Sequence, residues 1–260
     1  MPFILYSTNI LFITSPLDQF EVMSIISLVS PLFGYFTISI TNLSVYAIIV
    51  TYLVIALHVY ADNENSLIPS RWSIALESLF ASISSIVRDQ LGREEYLPLI
   101  YTLFFFVLTA NLTGNIPYSF TLGTSVIVSI GLSFTILVGV TILGLLIHKV
   151  HFAAYFVPNG TPLALVPLLV AIELISYLAR AFSLGIRLFA NMTAGHSLLA
   201  ILSGFLYKLF GQGILIAVLT LLPFALFLAI VGLELAVSFI QAYVFTLLVT
   251  SYIKDAIDLH

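Results

Sequence analysis

The chain has 260 residues, 61% of them hydrophobic and only 8% charged, with a formal net charge of −4 and a mean hydropathy of +1.17. A soluble domain carries about a quarter charged residues, so this composition cannot cover a water-exposed globule and specifies a membrane protein. The weak, scattered charge gives no basic footprint for nucleic acid. The absence of cysteine removes disulfides, thiolate metal sites and thiol nucleophiles.

The first residues, MPFILYSTNILFIT, hold no Lys or Arg, and the first basic residue is Arg71. Neither an Arg-rich presequence nor a positive secretory n-region is expected from that. The first span is predicted over about 43–60, followed by the polar patch Asp62-Asn63-Glu64-Asn65. Pro69 then opens a segment over about 70–91. There Ile74, Leu76, Leu79, Ile83, Ile86 and Val87 recur at near-helical spacing among Glu77, Ser78, Ser84, Ser85 and Arg88. Such a pattern predicts an amphipathic helix on the membrane surface.

Two further spans follow, at about 97–116 and 124–147, joined around Pro117-Tyr118-Ser119. So short a connection predicts an antiparallel hairpin over about 97–147. Asn111, Thr113 and Asn115 are expected to hydrogen-bond at the membrane interface or to a neighbouring helix. His148 and His151, beside Lys149 at a span's end, are read as interfacial rather than metal-ligating. No metal site and no cofactor are expected.

The last hundred residues form two apolar stretches, about 161–209 and 213–257, broken near Phe210-Gly211-Gln212-Gly213. As helices each would be roughly 65–75 Å long, over twice the hydrocarbon thickness. Each is either a broken pair of spans or one long tilted helix, and Pro167 and Pro223 mark kinks in either case. Counting five crossings places Arg71, Arg88, Arg93, Lys149 and Lys254 on one side and only Lys208 on the other. That bias puts the C-terminus inside and favours tilted helices.

Ionisable residues inside spans are costly and mark function by default. In the penultimate stretch Glu173, Arg180 and Arg187 stand seven apart, drifting only ~20° per step round a helix. Tyr177, Leu184 and Asn191 fill the same face, and His196 follows. Ala181, Gly185 and Ala190 keep the surface near Arg187 thin, which lets another helix approach closely. The last stretch repeats the arrangement with Glu234, Ser238, Gln241 and Asp255. Folding the two stretches back at about Gly211 puts Arg187 level with Glu234, and Arg180 near Gln241. Chains of carboxylates and imidazole across a membrane suit a proton path. Arginine cannot relay protons but supplies a permanent charge and a fork for a carboxylate partner. An antiporter-like respiratory subunit would instead place lysines in broken mid-membrane helices, and a structural scaffold would not need the doubled stripe.

At these residues the sequence resembles a known family. Ser183-Leu-Gly-Ile-Arg187-Leu-Phe-Ala-Asn191-Met-Thr-Ala-Gly-His196 is similar to the signature of the F-type ATP synthase a subunit, in its mitochondrial form. Val157-Pro-Asn-Gly-Thr-Pro-Leu-Ala-Leu-Val-Pro167 resembles the family's lead-in to that helix. Leu233-Glu234, Ile240-Gln241-Ala-Tyr243 and Ser251-Tyr-Ile-Lys-Asp255-Ala resemble its last helix. Ser15-Pro-Leu-Asp-Gln-Phe-Glu21 is similar to the mature start of yeast members, so residues 1–14 are read as a cleaved leader before a single domain over 15–260.

The resemblance implies an all-α integral membrane fold of about five spans plus one amphipathic surface helix, the last two helices long, steeply tilted and antiparallel. It implies that Arg187 faces a carboxylate on the rotating ring of c-subunit proteolipids and blocks proton leak. His196, Glu234, Asn191 and Gln241 would line the proton inlet, and Glu173 and Asp255 the outlet. Tyr177, Arg180 and Ser238 would support them. Bacterial members carry an acid at the position of His196 and a histidine at that of Glu234; here the pair is exchanged. The implied setting is the mitochondrial inner membrane, C-terminus in the matrix. Implied partners are the c-ring, the peripheral stalk and other Fo membrane subunits.

Overall fold

A computed structural model of the chain describes residues 17–29, 37–61, 69–117, 119–149, 152, 157, 165–212 and 214–258. The expected leader, the polar patch at 62–65, His151, most of the lead-in at 157–167 and Gly213 lie outside the described residues. A feature not foreseen comes first: an antiparallel hairpin of β1 (Ser24–Val29) and β2 (Thr37–Thr41). It is tied to the first helix by Asn42, whose Nδ2 donates to Glu21 O at 3.0 Å.

The helices are α1 (Asn42–Ala61), α2 (Arg71–Leu91), α3 (Leu97–Gly114), α4 (Val126–His148), α5 (Val166–Phe210), α6 (Ile214–Leu219) and α7 (Leu221–Ile257). Among the described residues five helices are long and apolar enough to cross a membrane, α1, α3, α4, α5 and α7. α5 and α7 run 45 and 37 residues without a break, which at 1.5 Å per residue makes them about 68 and 56 Å long. Leu168, Ile175 and Phe205 are exposed over most of that length, so α5 is apolar well beyond one hydrocarbon thickness. Of the two readings left by the pattern, one long helix rather than a broken pair of spans is the one that folds. Pro167 lies in the first turn of α5, where its missing N–H costs nothing, and it makes no kink. Pro223 cannot donate to Leu219 O, and the helix is interrupted between α6 and α7 at Thr220.

The amphipathic segment forms as expected. Ser70 caps α2, accepting from Ser73 N at 3.2 Å, and Gly92 ends it at φ 64° with its N–H on Arg88 O, a backbone that favours glycine. Its inner stripe of Leu76, Leu79, Ile83 and Val87 packs into the core. Ile74 does not belong to that stripe and is exposed, with Trp72 and Phe80.

The core gathers around α7. Ala242, Phe245, Val249 and Ile253 are buried against Ile100, Phe104 and Leu108 of α3 and Ile83 and Val87 of α2. α3 and α4 run antiparallel but do not pair as the expected hairpin; each packs on α7. The cause is their connection, which is longer than a tight turn. Residues 115–125 carry a 3₁₀ turn at Leu122–Thr124, and Phe120, Thr121, Leu122 and Thr124 fold inward and are buried. α4 instead takes α5 as its main neighbour. A Cβ at Gly185 would stand 2.5 Å from Ser133 Oγ and 3.0 Å from Ile130 Cα. Gly185 and the buried Ala181 therefore serve the close approach of α4, and only Ala190, of the three small residues, stays exposed.

Two polar ties hold helix ends. His148 Nε2 donates to Ile257 O at 2.9 Å, closing the C-terminal end of α7 onto α4. His58, which the sequence did not single out, has Nδ1 2.7 Å from Val54 O and Nε2 3.0 Å from Tyr101 Oη. The carbonyl fixes the proton on Nδ1, so Nε2 accepts from the tyrosine and links α1 to α3.

Candidate functional site

Every ionisable residue of the stripe lies on α5 or α7, and the structure sorts them into two groups with Arg187 between. At the end shared by the α4 and α7 termini, Arg180 Nη1 donates to Asp255 Oδ2 at 3.1 Å and Nη2 to Glu173 Oε1 at 3.4 Å. Their side chains are each about one third exposed, at 32%, 37% and 32% respectively. Tyr177 and Tyr252 close the group: Tyr177 Oη is 2.8 Å from Thr141 Oγ1, and Tyr252 borders the same cavity as Arg180 and Asp255. A cavity of about 10 Å³ is lined by Tyr177, Arg180, Tyr252 and Asp255, with Leu137, Val140, Phe152 and Ala256 behind them.

The second group occupies the other half. Asn191 Nδ2 donates to Gln241 Oε1 at 2.9 Å. Asn115 Nδ2 donates to Ser238 Oγ at 2.8 Å, and Ser238 Oγ donates to Glu234 O one turn back at 2.9 Å. Asn111 and Asn115 thus bond to α7, one of the two alternatives expected of them. Glu234 lies against Gly195: a Cβ there would collide with its Oε1 and come within 3.0 Å of its Cδ. His196 Nε2 turns toward Gly114, 3.7 Å from the position a Cβ would take there. Around Asn115, Asn191, Glu234, Ser238 and Gln241 is a cavity of about 20 Å³, above the ~10–15 Å³ that one water needs.

Three fully shielded polar atoms have no hydrogen-bond partner among the described residues: Thr193 Oγ1, His196 Nε2 and Glu234 Oε1. Each such group costs roughly 1–3 kcal/mol if left unsatisfied; Thr193 and His196 lie within one turn of α5, and Glu234 meets that turn from α7 at Gly195.

These contacts change the alignment of the two helices. Gly195 meets Glu234, Asn191 meets Gln241 and Arg180 meets Asp255. The fold-back is therefore centred near position 216 rather than Gly211. α6 and the break at Thr220 take up the extra length. Arg187 is thus not level with Glu234, which sits about 12 Å further along α5 at 1.5 Å per residue. Arg180 is paired with Asp255 and not near Gln241.

Arg187 makes no hydrogen bond or ion pair with any described residue. Ser183, Ile186, Ala190 and Asn191 around it are exposed, so it adjoins a surface left open by this chain. Between the two cavities α7 presents Ala242, Phe245, Thr246, Val249 and Thr250, all buried. Thr246 and Thr250 donate to carbonyls of their own helix. That stretch has no spare donor with which to pass a proton. Lys149, Lys208 and Lys254 all stand at helix ends, unlike the mid-membrane lysines of an antiporter-like subunit.

Sequence reasoning gave no role to Gly195, Tyr252 or Thr193. Glycine beside a buried carboxylate carries a readable signal only once its helix partner is known, and tyrosine and threonine are common in apolar helices.

The sequence model of the family described as ATP synthase A chain matches residues 43–254. The chain is 66% identical to ATP synthase subunit a of Mycosarcoma maydis, over 95% of this chain and 98% of that one. It is 50% identical to ATP synthase subunit a of Emericella nidulans, over 96% and 98%. To that of Kluyveromyces lactis it is 47% identical, over 96% and 99%. With the family model spanning most of its length and these relatives covered almost end to end, the chain belongs to the ATP synthase A chain family.

Proposed function

We infer that this chain is the membrane stator of an ATP synthase, carrying protons through two offset half-paths to and from a rotating ring of carboxylate-bearing subunits. The observation that carries the reading is Arg187, a permanent cation with no partner among the described residues, between two separate cavities, one bordered by Arg180 and Asp255 and the other by Asn191 and Glu234. An uncompensated guanidinium within the membrane needs an anion, and its bidentate fork suits a carboxylate.

A proton enters by His196 and Glu234, supported by Asn191, Gln241 and Ser238, and neutralises a carboxylate on the ring. The neutral carboxyl then turns through the lipid. On its return it meets Arg187, which favours the ionised form, and the proton is released toward Glu173 and Asp255. The charge of Arg187 repels a proton trying to pass between the half-paths directly. Arg180 holds the two outlet carboxylates in place, and Tyr177 lines the same cavity. The proposed setting is the mitochondrial inner membrane, with the basic ends of α4 and α7 facing the matrix. Partners are the ring proteolipids and other Fo membrane subunits, with the exposed apolar faces of α5 and α7 against the ring or lipid.

The test is ATP-driven proton pumping by the assembled complex in vesicles. Arg187→Ala is expected to abolish coupled pumping while the complex still assembles. Coupled pumping at the wild-type rate would sink the assignment.

A further inference from the structure

We propose that Asn115, just past the end of α3, is a positioning residue of the inlet half-path, gripping α7 at Ser238 so that the Glu234 carboxylate is held in place; this rests on the inlet reading above. α3 turns two asparagines toward α7 from successive turns, Asn111 and Asn115, which their four-residue spacing puts on one face. Both end on the same residue. Asn115 Nδ2 donates to Ser238 Oγ at 2.8 Å, and Asn111 Nδ2 to Ser238 O at a longer 3.5 Å. An asparagine in an apolar bundle is costly unless it bonds across helices, and Asn111 is buried. The Asn115 backbone N–H is already taken by Asn111 O and Leu112 O, which leaves the side chain to reach across.

The grip passes to Glu234 through one hydroxyl. Ser238 Oγ gives its hydrogen to Glu234 O at 2.9 Å. Toward α3 it therefore offers lone pairs, and the amide N–H of Asn115 is the donor that fits them. Ser238 and Glu234 are four apart, which places them about 40° apart round α7 and about 6 Å apart along it. α5 holds the same stretch from another side, where Asn191 Nδ2 donates to Gln241 Oε1 at 2.9 Å. Two ties from two helices, about 60° apart round α7, fix its rotation as one tie would not. That rotation sets the Glu234 side chain, which has no slack: a Cβ on Gly195 would come within 3.0 Å of its Cδ. Asn115 also borders the cavity shared by Asn191, Glu234, Ser238 and Gln241, and among the described residues it alone lines it from outside α5 and α7.

The experiment follows ATP synthesis by the assembled complex in liposomes at a fixed membrane potential and fixed outlet-side pH, while the inlet-side pH is varied. Asn115→Leu keeps the size and loses the amide; Asn115→Gln keeps the amide. Losing one hydrogen bond's net worth at Glu234 should raise the inlet proton concentration for half-maximal rate by about two- to tenfold in the leucine variant. The maximal rate should change less, and the glutamine variant should recover most of the shift. Ser238→Ala should shift the curve alike and add little to Asn115→Leu, since both remove the same bond. An unshifted curve in Asn115→Leu would overturn the proposal, as would a lowered maximum with an unchanged half-point, the mark of a merely structural role. A glutamine variant shifted as far as leucine, or fully additive shifts with Ser238→Ala, would overturn it too. If Asn115→Leu fails to assemble, Ser238→Ala is read on the same curve, and an unshifted half-point there overturns the proposal. Glu234→Gln runs in parallel: a wild-type curve there means that the inlet itself is wrong. A disturbed curve there, beside an unshifted one in Asn115→Leu, removes the positioning role alone.

Discussion

Arg180 and Asp255, 75 positions apart in sequence, meet at 3.1 Å, and the other arm of the same guanidinium holds Glu173. One fixed cation thus positions both proposed outlet carboxylates. Losing either acid leaves Arg180 the other carboxylate, whereas losing Arg180 leaves two carboxylates facing each other. Arg180→Gln is expected to destabilise the complex by about 1–3 kcal/mol. That lies between the ~0–1 kcal/mol of an exposed pair and the ~3–5 kcal/mol of breaking a buried one. Glu173→Gln and Asp255→Asn should each cost less. Thermal unfolding of the purified complex ranks them; Arg180→Gln as stable as wild type would remove the clamp.

Glu234 lies against the one residue of that turn without a side chain. In Gly195→Ala the new methyl collides with its carboxylate, which must move by tenths of an ångström or more. Proton flow through the inlet should fall while assembly survives, because a single methyl on a helix surface leaves the fold intact. Shortening the acid by one methylene makes room, so Gly195→Ala with Glu234→Asp should pump faster than Gly195→Ala alone. The check is the four-variant cycle of pumping rates, and strict additivity would mean that the two residues do not meet.

Much of this was legible in the sequence because membrane helices announce themselves by length and apolarity, and because buried charge at a spacing of seven reads as one face. Glu173 and Arg180 come together on that basis, whereas Asp255 joins Arg180 from the other helix at a level the spacing did not give. What the pattern could not give was register between helices. A fold-back at Gly211 is the natural reading of a glycine-rich break, yet α6 and the break after it displace the pairing by about two turns, so Arg187 stands apart from Glu234. The α3–α4 pairing failed for a related reason. Thr121 and Thr124 are polar and read as loop, but their hydroxyls bond to each other and the loop packs inward. The hairpin of β1 and β2 went unseen because Ile25, Ile26 and Ile40 are exposed and bury no face that would leave a pattern.

Gly185 tests the α4–α5 contact separately from the chemistry, since it is only two residues from Arg187 but, about 200° round the helix, faces the opposite neighbour. A Cβ there meets Ser133 Oγ, Ile130 Cα and Ser129 O within 3.0 Å, two of them backbone atoms that cannot turn aside. Overpacking of this kind costs about 1–3 kcal/mol. Gly185→Ala should therefore lower the melting temperature of the complex, and Gly185→Val should lower it further. Pumping per assembled complex should fall too, since α5 carries Arg187. An alanine variant with unchanged melting would show that α4 and α5 have room to part.

The seal between the half-paths gives the sharpest test of their separation. Val249 is 1% exposed and sits with Phe245 and Thr246 between the two cavities, in a stretch whose hydroxyl donors are spent on their own helix. An asparagine at this position has nearly the same volume but adds two donors and an acceptor, which lets water and hydrogen bonds bridge the apolar gap. Val249→Asn is expected to raise passive proton leak in liposomes under an imposed potential, and to lower the protons pumped per ATP. The buried amide also costs stability, roughly 1–3 kcal/mol if unsatisfied, so leak is measured per assembled complex. Val249→Ile, apolar and slightly larger, should leave the leak at the wild-type level. Equal leak in the asparagine, isoleucine and wild-type complexes would mean that Arg187 alone, without the apolar stretch of α7, keeps the two half-paths apart.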